Sequence, residues 1–91
     1  MNSLGQILEK IFRDPKYRSY FIEGLISGVW NRAVGAQIAA VAKPLSYENG
    51  VLQVRVESAA WRNELSMMSE EIIQKLNQHI GRDEIIQIVF R

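Results

Sequence analysis

The stretch that decides the fold is Lys43-Pro44-Leu45-Ser46-Tyr47-Glu48-Asn49-Gly50-Val51-Leu52-Gln53-Val54-Arg55-Val56-Glu57. Asn49-Gly50 is a strong hairpin signal, because a two-residue turn that matches strand twist needs positive φ at both positions. After it, Leu52, Val54 and Val56 alternate with Gln53, Arg55 and Glu57, which buries one face of a strand and wets the other. Before it, Leu45-Ser46-Tyr47 supplies the partner strand. Lys43-Pro44 stops any helix arriving from upstream.

Toward the N-terminus the period changes to that of helices. Ser3 is an N-cap with Gln6 at capping-box spacing, and a helix over about 4–13 gathers Leu4, Ile7, Leu8, Ile11 and Phe12 on one face. Asp14-Pro15 ends it and starts the next, with Asp14 capping and Pro15 at the first helical position. That second helix runs through Tyr17, Phe21, Leu25, Ile26, Val29, Trp30 and Ala33, and stops at Gly35 as a left-handed residue. Residues 36–42 add a short alanine-rich helix.

Downstream, Ser58 caps a third long helix whose stripe of Trp61, Leu65, Met68, Ile72, Leu76 and Ile80 runs unbroken to Gly81. Residues 84–90 form a closing strand, with Ile86, Ile88 and Phe90 on one face and Gln87 and Val89 on the other. The order α-α-(short α)-β-β-α-β predicts a two-layer α+β domain, a three-stranded mixed sheet with helices on one face. The closing strand can pair with either hairpin strand. Ninety-one residues make one domain, 1–91, with 1–14 an N-terminal helix and no room for a second core.

The composition narrows the function. At 47% hydrophobic and 23% charged the chain is globular rather than disordered. The absence of cysteine excludes disulfides, a thiolate nucleophile and cysteine-based metal sites. His79 is the sole histidine and reads as an exposed residue near a helix C-terminus; Glu70-Glu71 reads as solvated helix surface. No catalytic constellation emerges, so the expectation is a non-enzyme without metal or cofactor. There is no signal pattern, and Ile38 to Ala42 is too short to span a bilayer, which predicts a soluble cytoplasmic protein. The net charge of +1 hides an asymmetry: eight basic against five acidic residues through Arg62, then three against five. Such a dipole can orient a nucleic acid or an acidic partner.

Several blocks occur together in order: Trp30-Asn31-Arg32-Ala33-Val34-Gly35, Ile38-Ala39 and Pro44, then Gly50-Val51-Leu52-Gln53-Val54 and Ser58-Ala59-Ala60-Trp61. Glu64-Leu65 and Ile73-Gln74-Lys75-Leu76-Asn77 follow, ahead of Gly81 and Ile86 to Phe90. This set resembles the DciA family over roughly residues 22–91. The resemblance implies a KH-like domain and a bacterial replication factor that binds the replicative helicase DnaB and promotes its loading on DNA, without the AAA+ module of DnaC or DnaI. The chain's lack of a Walker-type phosphate loop agrees. Many members carry a further basic or disordered extension, whereas this sequence stops at its closing strand.

A KH-like fold raises the alternative of an RNA-binding module. KH domains clamp the backbone with a G-x-x-G loop between two helices. None of the six glycines here is followed by another three positions later. Nucleic-acid binding, chiefly weak single-stranded DNA binding, would use side-chain charge instead, and the candidates are Arg18, Arg32, Lys43, Arg55 and Arg62. Tyr17 and Tyr20, within Lys16-Tyr17-Arg18-Ser19-Tyr20, are the candidate partner-binding aromatics. Trp30 and Trp61 lie on apolar stripes and belong to the core. Gly24 and Gly28 share a helix face and point to close helix-on-sheet packing, or else to a groove where a partner helix approaches. Asn77 fits either a buried hydrogen bond or a partner contact.

Overall fold

Asn49 and Gly50 take φ values of 49° and 88°, as the hairpin signal demands. Gly50 is needed twice, because a Cβ there would also lie 2.8 Å from Cδ1 of Ile86. The computed structural model describes residues 3–91. Among them the helices are α1 (Leu4–Arg13), α2 (Pro15–Val34), α3 (Ala36–Val41), α4 (Ala59–Met67) and α5 (Ser69–Ile80), and the strands are β1 (Ala42–Glu48), β2 (Val51–Val56) and β3 (Gln87–Phe90). The sheet order is β1-β2-β3, with β1 antiparallel and β3 parallel to β2. A parallel pair needs a crossover, and α4 with α5 supplies it. The closing strand therefore pairs with the second hairpin strand. The fold is α+β and KH-like.

The expected caps are in place. Ser3 and Gln6 form a reciprocal capping box at α1, and the Asp14 carboxylate accepts from the Lys16 amide at 2.9 Å. Leu52, Val54 and Val56 point inward and are fully buried against Ile22 and Ile26 of α2, Leu65 of α4, and Ile72 and Leu76 of α5. Trp30 is buried as expected, its indole N–H donating to the Ala42 carbonyl at 2.9 Å. Trp61 is half-buried against the same core. β1 extends through Pro44, tolerable on an edge strand, and its register shifts between Pro44 and Ser46.

Four local readings need correction or completion. The third long helix is two, broken at Met68 (φ −100°, ψ 10°). The hydroxyls of Ser66 and Ser69 donate to the carbonyls of Arg62 and Ser66, both at 2.8 Å, which gives the backbone a way out of the helix. The closing strand starts at Gln87 rather than Glu84, and Ile86 is 76% exposed while Ile85 is buried. Asn77 causes this: its side chain donates to the Ile85 carbonyl at 3.0 Å and accepts the Ile85 amide at 2.9 Å, holding that residue inward. Gly24 and Gly28 pack against nothing; a Cβ at either would meet no atom within 4 Å, so close packing on the sheet is not their reason. Gly35 has positive φ (90°), but its ψ of 161° lies outside the left-handed helical region. The side chain of Ile11 lies outside the described residues.

Candidate functional site

The register of the sheet creates its most distinctive surface. Lys43 of β1 pairs with Arg55 of β2. The Arg91 amide donates to the Val54 carbonyl at 2.9 Å, and its carbonyl accepts the Val56 amide at 3.0 Å, which sets Arg91 opposite Arg55 on the other side. Lys43, Arg55 and Arg91 thus form one row across three strands on the exposed sheet face, at roughly 4.8 Å between neighbouring strands. Like charges directly opposite one another destabilise a sheet. Each cation has only modest local relief: Lys43 Nζ donates to the Ala39 carbonyl at 2.8 Å, Arg55 approaches Glu57 at 3.8 Å, and Arg91 donates to Gln53 Oε1 at 2.5 Å. A depression of about 440 Å³ beside the row is lined by Ala40, Val41, Lys43, Arg55, Glu57 and Ser58.

The other candidate cations are placed differently. Arg62 is a clasp: its guanidinium donates to the carbonyls of Val56 at 2.7 Å and Glu57 at 3.4 Å, tying α4 to the end of β2. Those carbonyls offset the cost of a cation near a helix N-terminus. Arg18 donates at 2.5 Å to Glu84, a carboxylate only 6% exposed, which Arg82 also approaches at 3.5 Å. Arg32 is exposed on the last turn of α2, favourable against the helix dipole. The structure brings Lys43 and Arg55 together and leaves Arg18 in an ion pair of its own.

Glu84 is the electrostatic centre of that second region. The Tyr47 hydroxyl donates to the Glu84 backbone carbonyl at 2.9 Å and lies 3.5 Å from its carboxylate. Burial, with the carboxylate charge adding to it, pushes the Tyr47 phenol above its ordinary value of 10.0. Tyr17 and Tyr20 are exposed on α2, as a contact role requires. Arg91 and Glu84 are the functional-looking residues that sequence reasoning missed. Placing Arg91 requires the strand order, and burying Glu84 requires the packing of α2 on the loop before β3.

The helix–helix junction between β2 and β3 reads Ser66-Met67-Met68-Ser69. A KH clamp needs glycine so that a nucleic-acid backbone can approach. Here Met67 is 76% exposed, and Glu70 and Glu71 occupy the first turn of α5. Carboxylates at that helix end repel phosphate. This junction is unsuited to the KH mode of RNA binding.

Fold and surface define a small KH-like α+β domain with a cationic row on its sheet and no glycine clamp. The family profile described as "Dna[CI] antecedent, DciA" matches residues 3–90, and the chain belongs to the DciA family. It is 32% identical over 85 residues to a UPF0232 protein of Mycobacterium marinum, covering 93% of this chain and 46% of that protein. The UPF0232 protein of Mycobacterium tuberculosis is 32% identical over 82 residues (90% and 44%), and that of Mycobacterium leprae 31% over 85 (93% and 45%). The chain spans about half the length of the curated relatives it matches. No helix of the described residues is long and apolar enough to cross a membrane.

Proposed function

We propose that the chain is a non-catalytic, cytoplasmic DNA replication factor that binds a DnaB-type replicative helicase and promotes its loading on DNA. Single-stranded DNA is held weakly on the cationic sheet face during that step. Family membership supports the helicase half. The in-register row of Lys43, Arg55 and Arg91 supports the DNA half, because a polyanion removes the mutual repulsion of three aligned cations. Binding is weak because the exposed face offers Val51 and Val89 rather than aromatic platforms for bases. Arg62, clasped to the end of β2, adds to the field around the row, Arg32 is a further exposed cation, and Arg18, paired with Glu84, adds no free charge. Tyr17 and Tyr20 belong to the partner-facing side.

Titration of a fluorescent oligothymidine over a range of salt tests the DNA half. About three phosphate contacts give a log–log salt slope of about −2 for a single strand. Charge reversal by Arg55→Glu with Arg91→Glu flattens that slope; an unchanged slope removes the row from the account. A helicase assay on circular single-stranded DNA tests the loading half, with faster unwinding expected when the chain is added without a nucleotide of its own.

A further inference from the structure

The largest anomaly on the surface is an amphipathic helix whose described apolar residues Leu4, Ile7, Leu8 and Phe12 are all exposed. Leu4 of α1 is 72% exposed and Ile7 50%, with Leu8 and Phe12 more than a third exposed. A ten-residue helix is marginal alone in water, and α1 has its own capping box and an aromatic attachment to α2. That attachment is Phe12, edge-on to Phe21 at a centroid distance of 5.4 Å, with the Arg82 guanidinium 6.0 Å from the Phe12 ring. Phe21 belongs to the exposed α2 stripe that runs from Tyr17 through Phe21 to Gly24 and Gly28. The two stripes therefore meet at the Phe12–Phe21 contact and form one surface. Its aromatic end supplies contact area, and its glycine end lets another backbone approach closely.

We propose that this surface docks an acidic amphipathic helix of the helicase, a proposal that rests on the helicase-binding reading above. Charge selects the occupant. Glu9 is paired with Arg13, whereas Asp14 caps α2 through the Lys16 amide and keeps its charge. Lys10, Lys16 and Arg32 have no ion-pair partner among the described residues, and against these three cations stand two acids, Asp14 and Glu23. A helix with carboxylates flanking its apolar stripe is complementary to that rim. A second copy of this chain would bring the same excess of cations against it.

The test measures binding of the full chain to the DnaB-type helicase of the same bacterium by calorimetry, for the wild type, Ile7→Glu and Gly24→Leu. Gly24→Leu fills open space and replaces a helical glycine, so its melting temperature should match or exceed that of the wild type. Each variant is expected to weaken binding by roughly tenfold or more, as loss of an interface anchor does. Wild-type affinity should also fall as salt rises. If the wild type binds and both variants bind equally well, the docking surface is refuted while the helicase reading stands. If the wild type does not bind, the helicase reading fails and takes this proposal with it. The occupant is likewise overturned if light scattering shows a wild-type dimer that Gly24→Leu dissolves, or if the wild type binds phosphatidylglycerol vesicles and Ile7→Glu does not.

Discussion

Lys43 and Arg55 are register partners across β1 and β2, both exposed on the same face of the sheet. Two cations directly opposite cost a sheet roughly 0.2–1 kcal/mol, and Arg91 on the far side of Arg55 adds to it. Arg55→Glu should therefore raise stability by about 0.5 kcal/mol while weakening oligothymidine binding. Thermal melts and anisotropy titrations on the same sample check this. A variant that is less stable and binds as well as the wild type contradicts the row.

Arg18 and Arg32 lie on the same helix but differ in environment. Arg18 neutralises the buried Glu84, whereas Arg32 faces solvent. Arg18→Gln should cost about 1–2 kcal/mol, discounted from the full cost of stranding a buried charge because Arg18 is half-buried and Arg82 remains nearby. Arg32→Gln should stay within about 0.5 kcal/mol. Urea unfolding of the two variants separates them.

Tyr47 has a phenol raised above 10.0 by burial, while Tyr17 and Tyr20 are exposed. Spectrophotometric titration should show a Tyr47 step displaced above the ordinary phenol value. The neutral Tyr47 phenol donates to the Glu84 carbonyl in the folded state. Its raised value means that the associated stability is complete below about pH 10, the unfolded value, and is lost as pH rises through the folded value. Tyr47→Phe should remove the late step from the titration. A titration curve that loses no displaced step when Tyr47 is replaced would contradict the placement.

Asn77 satisfies both backbone groups of Ile85 inside the core. Asn77→Ala leaves a buried donor and a buried acceptor without partners and should cost about 3 kcal/mol. Amide exchange at Ile85 should accelerate in step with that loss. An unchanged urea midpoint would mean that the loop before β3 is held by something else.

The hairpin was legible because Asn49-Gly50 states its turn chemistry locally, and the caps at Ser3, Asp14 and Ser58 were legible for the same reason. The break at Met68 was not, since Trp61, Leu65, Met68, Ile72 and Leu76 keep helical spacing across it. Only the paired serines at 66 and 69 hinted at competition for the backbone. Period-2 alternation extended back from Ile88 puts Ile86 on the same face as Ile88 and Phe90, but the strand does not reach it, and Asn77 fixes Ile85 instead. The cationic row was half legible. Counting outward from the turn sets Pro44 opposite Arg55; the register shift between Pro44 and Ser46 brings Lys43 there instead, and Arg91 joins them only once β3 is known to run parallel beside β2. The apolar face of α1 was visible as a stripe; that Leu4, Ile7, Leu8 and Phe12 remain exposed is a tertiary fact.

On the proposed function, the chain contacts a DnaB-type helicase as a non-catalytic binding partner. Size-exclusion chromatography with light scattering, on the chain mixed with the helicase of the same bacterium, tests it most directly. The account predicts a complex of defined stoichiometry that forms without added nucleotide and persists when single-stranded DNA is present. Separate elution of the two proteins at tens of micromolar, with and without DNA, would contradict it.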